Sequence, residues 1–418
     1  MDSEPITHTE KQGPGQSLLL SRQAVFSPTL EVWGYELDYV QDQCERNGYL
    51  GCVKVLAGVV SALGETSCKN SRIMVGFSPR CLREGLPLLL PPEATIVRLD
   101  QKPSLSTLDY LTELHKLRAQ GFSLALTYEA QSDILLKVLP LLDILSVELA
   151  AADGGDLLHL MDQVRGSGVQ LLAKGLENDE QFQSAKQLGF DLFQGDFFKK
   201  PEVVSGRRFS SAQQARFQIL KAAGSDVPNT EELAEAIECD VTISYRLLAY
   251  LNSAAFSLPC QVRSVRHAVM LLGWNQVRRW VRLIILTDFG AEGSTPELAV
   301  LCAHRARFLE TAARELPDSG AEPDRLFIVG LFSLLEAMLQ SPLAEILEDV
   351  ALDSQTKSAL LDADHPLQRW LRMAEYFEQA DWDKLGVAVE QLGLDPMKTA
   401  SCYYDALIWT NEFFAVTG

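Results

Sequence analysis

The sequence predicts two domains, an eight-stranded α/β barrel followed by an all-helical domain, on three observations. From about residue 94, short apolar runs such as "TIVRLD" and "FSLALTY" alternate with helix-length segments, a pattern typical of parallel strands covered by helices. Together with a hairpin-like stretch at 17–40 and a strand-like "SRIMVGFSP", the strand count favours a closed barrel over an open sheet. Beyond residue 214 the pattern becomes helical up to the C-terminus.

The sequence also predicts individual strands, helices and helix breaks along the chain. Residues 17–40 predict a β-hairpin, and a leucine stripe within 108–117 predicts a helix that ends at Gly121. In the second half, "TEELAEAIECD" predicts a helix with Thr230 as its N-cap. Gly273 interrupts the long helical pattern that follows.

A stretch at 199–214 that contains Pro, Gly and Ser and lacks an apolar period separates the two patterns. It predicts the domain boundary. We divide the chain into a disordered N-terminal segment at 1–16, the barrel domain at 17–203, a linker at 204–214 and the helical domain at 215–418.

The composition excludes several classes of protein. The formal net charge of −19 disfavours general nucleic-acid binding, because phosphate repels an acidic surface. The first residues contain no apolar signal region, and no apolar run approaches the roughly 20 residues of a membrane span. The eight cysteines include no Cys-x-x-Cys pair, which argues against a zinc or redox motif. We therefore expect a soluble, cytoplasmic protein with no cofactor and no membrane partner.

Two segments of the first half match a known family pattern. The stretch "GYELDYV" (34–40) looks like a Glu-x-Leu signature after a hairpin, and "LGFDLFQGDFFKKP" (188–201) is close to a closing Gln-Gly segment with an aromatic pair. Residues 17–203 thus resemble the EAL domain family of bacterial cyclic di-GMP phosphodiesterases. The resemblance implies a TIM-like (β/α) barrel and metal-assisted attack of water, which requires several oxygen ligands for two cations.

Most positions that the EAL pattern assigns to metal or phosphate binding carry other residues here. Val40 stands in place of an arginine, Gly76 of an asparagine and Arg98 of a glutamate. "TYEA" stands in place of an Asp-Asp turn. The vestigial EAL positions, retained or replaced, are Glu36, Gly76, Arg98, Thr127, Tyr128, Ser146, Glu148, Lys174, Glu177 and Gln194. The loss of carboxylates and the gain of cations imply a barrel with no metal and no catalytic residue.

The retained residues also have purely structural interpretations. Glu36 and Glu177 would be carboxylates at strand ends, either ion-paired with Arg98 or Lys174 or solvated, instead of binding metal. Gln194 would maintain a turn. The neighbours Phe197 and Phe198 would pack at the barrel rim instead of stacking on a nucleobase.

The second half resembles the HDOD family, on the segment "LLAYLNSAAFSLPCQVRSVRHAVMLLG" (247–273). The resemblance implies a helical domain related to metal-dependent HD phosphohydrolases but without their ligands. Ser333 and Leu334 replace the His-Asp pair of an HD enzyme. We interpret His304 as a surface or packed histidine, and Asn252 as a residue that caps or bridges a helix turn.

Arginine and tryptophan cluster in one part of this acidic chain. They predict either a solvated helix face with arginines paired to acids, or a docking surface, since both residue types are enriched at binding hot spots. The candidate interaction surface comprises Arg263, Arg266, Trp274, Arg278, Arg279, Trp280 and Arg282.

The leading hypothesis is a non-catalytic signalling or scaffold protein. The EAL–HDOD resemblance implies regulation of bacterial motility, surface attachment or virulence through protein partners. The alternative is a metal-independent receptor for cyclic di-GMP or another nucleotide, and the third is an active phosphodiesterase with unfamiliar ligands. A homodimer is compatible with the resemblance.

Overall fold

The computed structural model of the protein describes residues 19–40, 56–60, 72–99, 107–128, 134–151, 154–200, 210–224, 229–238, 240–253, 261–291, 295–317, 320–350 and 352–417. The predicted disordered segment at 1–16, most of the predicted linker, and Glu129 and Ala130 of "TYEA" lie outside these residues.

Eight strands of the described chain form a closed barrel in sequence order. They are β1 (Leu20–Phe26), β2 (Val32–Tyr39), β3 (Arg72–Phe77), β4 (Thr95–Leu99), β5 (Ser123–Thr127), β6 (Ile144–Glu148), β7 (Gln170–Leu176) and β8 (Leu192–Gly195). β1 is antiparallel to β2 and β8, whereas the neighbours from β2 to β8 are parallel. The predicted barrel and N-terminal hairpin are confirmed. The start of β1 consequently lies beside the C-terminal end of β2, with Leu20 opposite Tyr39.

Helices follow the strands of the barrel. They are α1 (Pro79–Arg83), α2 (Thr107–Ala119), α3 (Leu135–Val138), α4 (Gly154–Val164) and α5 (Asp179–Leu188), and residues 56–60 are also helical. Gly121 follows α2 with a φ of 91°, as the sequence predicts. Asn178 caps α5 by accepting a hydrogen bond from the Gln181 backbone N–H.

The lower part of the barrel interior is filled by an apolar layer. One buried side chain comes from β1 and one from each of β3 to β8, with Trp33 of β2 packed against them: Val25, Met74, Ile96, Ala125, Ile144, Leu172 and Leu192. The layer closes the barrel from within, as expected for a packed barrel core. Polar residues of the interior can therefore lie only nearer the C-terminal strand ends.

The helical domain begins within the predicted linker. Its helices are α6 (Ser211–Gly224), α7 (Thr230–Glu238), α8 (Val241–Leu251), α9 (Val265–Leu272), α10 (Trp274–Ala291), α11 (Pro296–Arg314), α12 (Pro323–Phe332), α13 (Leu335–Leu339), α14 (Leu343–Asp349), α15 (Ser354–Leu361), α16 (Gln368–Glu378), α17 (Trp382–Leu392) and α18 (Pro396–Thr417). Gly273 separates α9 from α10 with a φ of 83°, as predicted. The prediction of Thr230 as an N-cap was wrong, because Asn229, one residue earlier, accepts the hydrogen bond from Glu232.

Helix α11 is the centre of the helical domain. Most of its residues are buried, including Cys302, Ala306 and Leu309. Gly330 of α12 lies so close that a Cβ there would be 2.6 Å from the Ala306 backbone nitrogen. The absence of a side chain at Gly330 lets the two helices pack backbone to backbone.

The two domains share apolar contacts. Leu407 of α18 belongs to the core that surrounds the barrel, and Tyr404 packs against that core. From the barrel side, Leu19 and Phe198 pack against the core of the helical domain. The barrel mouth and the helical domain therefore form one continuous packed structure across the described residues.

No single helix of the described chain combines the length and apolar character needed to cross a membrane. One helix pair, Pro323–Leu339 with Leu343–Asp349, meets the length and composition test together but is bent by 114°.

The contact at Gly330 can be tested by Gly330→Ala. We expect this substitution to lower the free energy of unfolding by about 1–3 kcal/mol, because the added methyl group meets the backbone of α11. Gly386→Ala is the matched control, since a Cβ there meets nothing within 4 Å and alanine favours a helix by up to ~1 kcal/mol. Chemical denaturation measures both. Equal effects of the two substitutions would contradict the close packing.

Candidate functional site

The EAL-like positions form one layer inside the barrel. Two residues beyond the apolar layer, on the same strands, lie Gly76, Arg98, Thr127, Ser146, Lys174 and Gln194. Because strand side chains alternate between two faces, these positions face the interior near the C-terminal strand ends. Glu36 of β2 contacts three of them. The structure thus brings together positions that the sequence spreads over 158 residues.

The centre of this layer is the Glu36 carboxylate. It is fully buried, and Arg98 Nη1 donates a hydrogen bond to its Oε1 atom. Lys174 Nζ lies 2.9 Å from Oε2, and Gln194 Nε2 donates to Oε2 at 2.7 Å. Both carboxylate oxygens are therefore occupied by donors from β4, β7 and β8.

These neighbours keep Glu36 ionised. Burial alone would raise the pKa of its carboxyl group, but the charges of Lys174 and Arg98 and the hydrogen bonds from Lys174 and Gln194 outweigh burial and lower the pKa to about 2. The interpretation of Glu36 as an ion-paired carboxylate is confirmed. For Gln194 the turn interpretation is incomplete, because its side chain holds Glu36 as well.

Arg98 occupies the space that opens beside Gly76. Its Nη1 atom also lies 2.9 Å from Asp38 Oδ1, so one guanidinium bridges two carboxylates of β2. A Cβ at Gly76 would approach Arg98 Nη2 to 2.5 Å. A side chain at residue 76 would therefore displace the guanidinium from Glu36 and Asp38.

The remaining EAL-like positions surround this cluster less closely. Ser146 is fully buried, and its hydroxyl has no hydrogen-bond partner among the described residues. Thr127 and Tyr128 are half-buried at the end of β5. Glu148 Oε1 lies 3.7 Å from Lys174 Nζ. Glu177 is exposed and has no ion-pair partner in the described chain, which agrees with the solvated alternative for this carboxylate.

Within the described part of the chain, no three His, Cys, Asp or Glu side chains are grouped so that they could hold a metal ion. The donors that reach Glu36 are two cations and an amide. A carboxylate with this environment has no free oxygen lone pair directed toward the cavity.

A cavity of about 460 Å³ opens above the cluster, between the barrel mouth and the helical domain. Its described lining includes three cations, Arg22, Lys174 and Lys199. It also includes six carboxylates: Asp38, Glu148, Glu177, Asp196, Glu297 and Glu378. Two of these carboxylates are also paired with cations outside the lining, Asp38 with Arg98 and Glu378 with Arg305.

Two buried ion pairs join the domains at this cavity. Arg22 Nη2 of β1 lies 3.0 Å from Glu297 Oε1 of α11, and Tyr35 donates to Glu297 Oε2 at 3.0 Å. Lys199 donates to Glu378 Oε2 at 2.9 Å. Sequence reasoning missed these contacts, because the partners lie far apart in the chain and the carboxylates, Glu297 and Glu378, belong to no recognised motif.

The aromatic pair after β8 packs in the barrel wall. Phe197 is buried and stacks on Phe182 with a centroid distance of 4.9 Å. Phe198 lies 4.7 Å from the Phe26 ring and also lines the cavity. The packing interpretation is confirmed for Phe197, and Phe198 contributes to both the wall and the cavity.

The HD-like positions of the helical domain carry a structural ion pair. Ser333 accepts a hydrogen bond from Arg305 Nη1 at 3.1 Å, and Arg305 donates to Glu378 at 2.7 and 2.8 Å. Leu334 is buried. A buried guanidinium thus occupies the neighbourhood of the position where the HD pattern has its His-Asp pair.

His304 and Asn252 have structural roles. His304 is buried, and burial lowers its pKa to about 4, which confirms a packed histidine. Asn252 joins the two ends of a loop, because its side chain accepts from Val262 N–H at 2.7 Å and donates to Val262 O at 2.9 Å. Its predicted bridging role is confirmed.

The candidate Arg/Trp surface does not exist as a single surface. Trp280 is buried between Tyr250 and Trp409, and Arg282 is buried against the Ala223 carbonyl. Residues 280–286 of α10 are all buried, so Trp280 and Arg282 are enclosed although they lie on different faces of the helix. The remaining members, Arg263, Arg266, Trp274, Arg278 and Arg279, are exposed or half-buried.

Two arginines of this exposed or half-buried group have carboxylate partners in the described chain. Arg266 pairs with Glu231 and Glu238, and Arg279 with Glu310 and Asp324. Pairing with acids is confirmed for both residues, but only Arg266 lies on a solvated face, because the Arg279 side chain is 14% exposed.

Comparison with known proteins agrees with the two-domain assignment. Residues 210–364 match the family model of the HDOD domain. The chain is 26% identical over 408 residues to "Uncharacterized protein YuxH" of Bacillus subtilis (strain 168), covering 94% of this chain and 98% of that protein. It is 26% identical over 345 residues to "Cyclic di-GMP phosphodiesterase CdgJ" of Vibrio cholerae serotype O1, covering 82% of this chain and 79% of that protein.

Two solved structures show partial likeness. The EAL enzyme Bd1971, in a form with cAMP and cyclic di-GMP bound, is similar over 44% of this chain and 62% of its own, at 12% identity and a TM-score of 0.38. The PaMucR phosphodiesterase, in complex with cyclic di-GMP, is similar over 47% of this chain and 99% of its own, at 17% identity and a TM-score of 0.36. The closed eight-stranded barrel, followed by a helical domain of which residues 210–364 match the HDOD model, confirms the predicted fold class of an α/β barrel and an all-helical domain.

The burial of Glu36 predicts a large cost for its neutralisation. We expect Glu36→Gln to lower the free energy of unfolding by about 3–5 kcal/mol, since it leaves buried cations without compensation. Glu177→Gln, an exposed carboxylate at the end of β7, should change it by less than ~0.5 kcal/mol. Urea denaturation of both variants measures the difference, and a Glu36→Gln protein as stable as Glu177→Gln would refute the assignment.

The low pKa of Glu36 also predicts a pH dependence. The carboxyl group titrates near 4.5 when unperturbed and near 2 in the folded chain, so its stabilisation is complete above about pH 4.5 and is lost as the pH falls toward 2. The stability difference between the wild type and Glu36→Gln should shrink over this window. A difference that stays constant between pH 5 and pH 2, within roughly 0.5 kcal/mol, would contradict the low pKa.

Proposed function

We propose that this chain is a non-catalytic signalling protein that acts by binding partner proteins, in the regulation of bacterial motility, surface attachment or virulence. Its barrel keeps the EAL architecture without the phosphodiesterase chemistry, and its HDOD domain supplies a second binding module. The observation that carries the proposal is the saturation of Glu36 by Arg98, Lys174 and Gln194.

Metal-assisted hydrolysis requires the opposite electrostatic arrangement. Two divalent cations need several free oxygen ligands near the nucleophilic water. Here the retained carboxylate is already neutralised by two protein cations, 2.9 Å away in the case of Lys174. A metal ion at the same oxygens would meet strong repulsion from both side chains.

The residues at the HD-like positions of the helical domain also favour a non-catalytic role. Arg305, Ser333 and Glu378 form a buried hydrogen-bonded group where HD enzymes bind metal. The same Glu378 reaches Lys199 of the barrel. The residues at both former catalytic centres thus contribute to the stability of the protein and to the contact between its domains.

The competing proposal is hydrolysis of cyclic di-GMP, which the name of CdgJ attaches to that relative. The test is incubation of the full chain with cyclic di-GMP and Mg²⁺ or Mn²⁺, with detection of linear dinucleotide. We expect no product above that of a buffer control.

Glu177→Gln is the decisive variant in this assay. Glu177 matches a retained EAL carboxylate and is exposed, so its substitution leaves the fold intact, unlike that of Glu36. Metal-dependent product that disappears in Glu177→Gln would overturn the non-catalytic proposal. Product of equal amount in the wild type and the variant would indicate a contaminating enzyme.

A second candidate function is a metal-independent receptor for cyclic di-GMP. The 460 Å³ cavity, with Lys174, Lys199 and Phe198 in its lining, favours it. The six carboxylates of the described lining oppose it, because they repel a ligand with two phosphates. We therefore place it behind partner binding.

Isothermal titration with cyclic di-GMP in the presence of EDTA separates the two candidates. We expect no binding heat. Metal-independent binding that is weakened in Lys174→Met would establish the receptor in place of the protein-binding role.

A further inference from the structure

The helical domain contains a cavity that plays no part in the proposed function. It has a volume of about 280 Å³ and lies between α10 and the first turns of α12 and α15. Its lining includes four arginines: Arg278, Arg279, Arg282 and Arg325. Such a concentration of guanidinium groups is unusual in a chain with a net charge of −19.

Two of these arginines are neutralised by carboxylates of the same cavity. Arg279 lies 2.7 Å from Asp324, and Arg325 lies 3.2 Å from Glu322. The third carboxylate of the lining, Asp353, accepts hydrogen bonds from the backbone N–H and the hydroxyl of Thr356 as the N-cap of α15. The carboxylates of the cavity are thus already engaged.

Arg278 and Arg282 have no such partner. No carboxylate of the described chain lies within ion-pair distance of either guanidinium. Arg282 is only 7% exposed, and its single hydrogen bond goes to the Ala223 carbonyl at 3.2 Å. Burial, and then the positive charge of Arg278, lower the pKa of Arg282 to about 10. Two neighbouring cations, of which the buried one has only a carbonyl as a hydrogen-bond partner within the described chain, cost free energy unless an anion joins them.

We infer that this cavity binds the phosphate group of a small molecule through Arg278 and Arg282. A phosphate monoester carries close to two negative charges at neutral pH, which matches the two unpaired guanidinium groups. Guanidinium donors bind phosphate oxygens in pairs. Phe327, Ile328 and Leu352 of the lining leave an apolar wall for the remainder of the ligand.

The first turns of α12 and α15 both contribute to the lining, through Asp324 and Arg325 and through Thr356. Their N-termini are already met by Asp324 and Asp353, so the attraction for an anion rests on the two guanidinium groups. The site is independent of the barrel mouth, so it stands whether or not the barrel hydrolyses cyclic di-GMP.

The test uses the full chain at constant ionic strength, with sodium pyrophosphate or inorganic phosphate replacing part of the chloride and acetate as a monovalent comparison. Binding is followed by thermal shift and by isothermal titration at about pH 8, where phosphate is mostly a dianion. We expect both phosphates, but not acetate, to stabilise the wild type.

Three variants locate the effect. Arg278→Ala and Arg282→Met should weaken phosphate binding at least about tenfold, the loss expected for a charged hydrogen-bond partner. Arg263→Ala is the matched control, because Arg263 is exposed, carries the same charge and lies outside the cavity lining. Arg278→Ala serves alone if Arg282→Met does not fold, since Arg278 is half-buried.

The outcomes are distinct. Stabilisation by phosphate that is lost in Arg278→Ala and kept in Arg263→Ala supports the site. No response of the wild type to either phosphate, an equal response to acetate, or an equal response of Arg278→Ala and Arg263→Ala would overturn it.

Discussion

The buried carboxylate of Glu378 ties the two domains together. It accepts two hydrogen bonds from Arg305 within the helical domain and one from Lys199 at the end of the barrel. The backbone carbonyl of the same residue accepts from Ser21 and Gln23 of β1. A buried carboxylate is tolerated only with such compensation, and separation of the domains would leave Glu378 with Arg305 alone and remove the hydrogen bonds from Lys199, Ser21 and Gln23. The relative position of barrel and helices is fixed by this requirement.

A second buried carboxylate that is compensated by cations lies at the barrel centre. Glu36, like Glu378, is a fully buried carboxylate held by two cations. Between the two clusters lies the cavity at the domain boundary, with α11 and α16 forming one side of its wall. Whatever enters the barrel mouth therefore contacts the helical domain too.

The sequence predicts the barrel well because strand alternation and β–α repetition are local signals. The layer that contains Gly76, Arg98, Lys174 and Gln194 also follows from local patterns, since each lies two residues after an apolar strand residue. Ion pairs such as Arg22 with Glu297 cannot be predicted in this way, because 275 residues separate the partners.

The single Arg/Trp docking surface was predicted incorrectly for a different reason. Residues that are close in sequence lie on different faces of a helix, so Trp280 turns into the core while Arg278 remains half-buried. Composition alone could not assign each residue to a face. The clustering nevertheless marked the arginines that line the cavity of the helical domain.

The contact between Gly76 and Arg98 constrains how this barrel changes in evolution. A side chain gained first at residue 76 would push the guanidinium away from Glu36 and Asp38, since its Cβ would lie 2.5 Å from Arg98 Nη2. A carboxylate gained first at residue 98 would instead lie beside the carboxylates of Glu36 and Asp38, with only Lys174 to compensate the three negative charges. Either single step passes through a less stable protein. The two positions are therefore energetically coupled, and substitutions at residues 76 and 98 should have non-additive effects on stability.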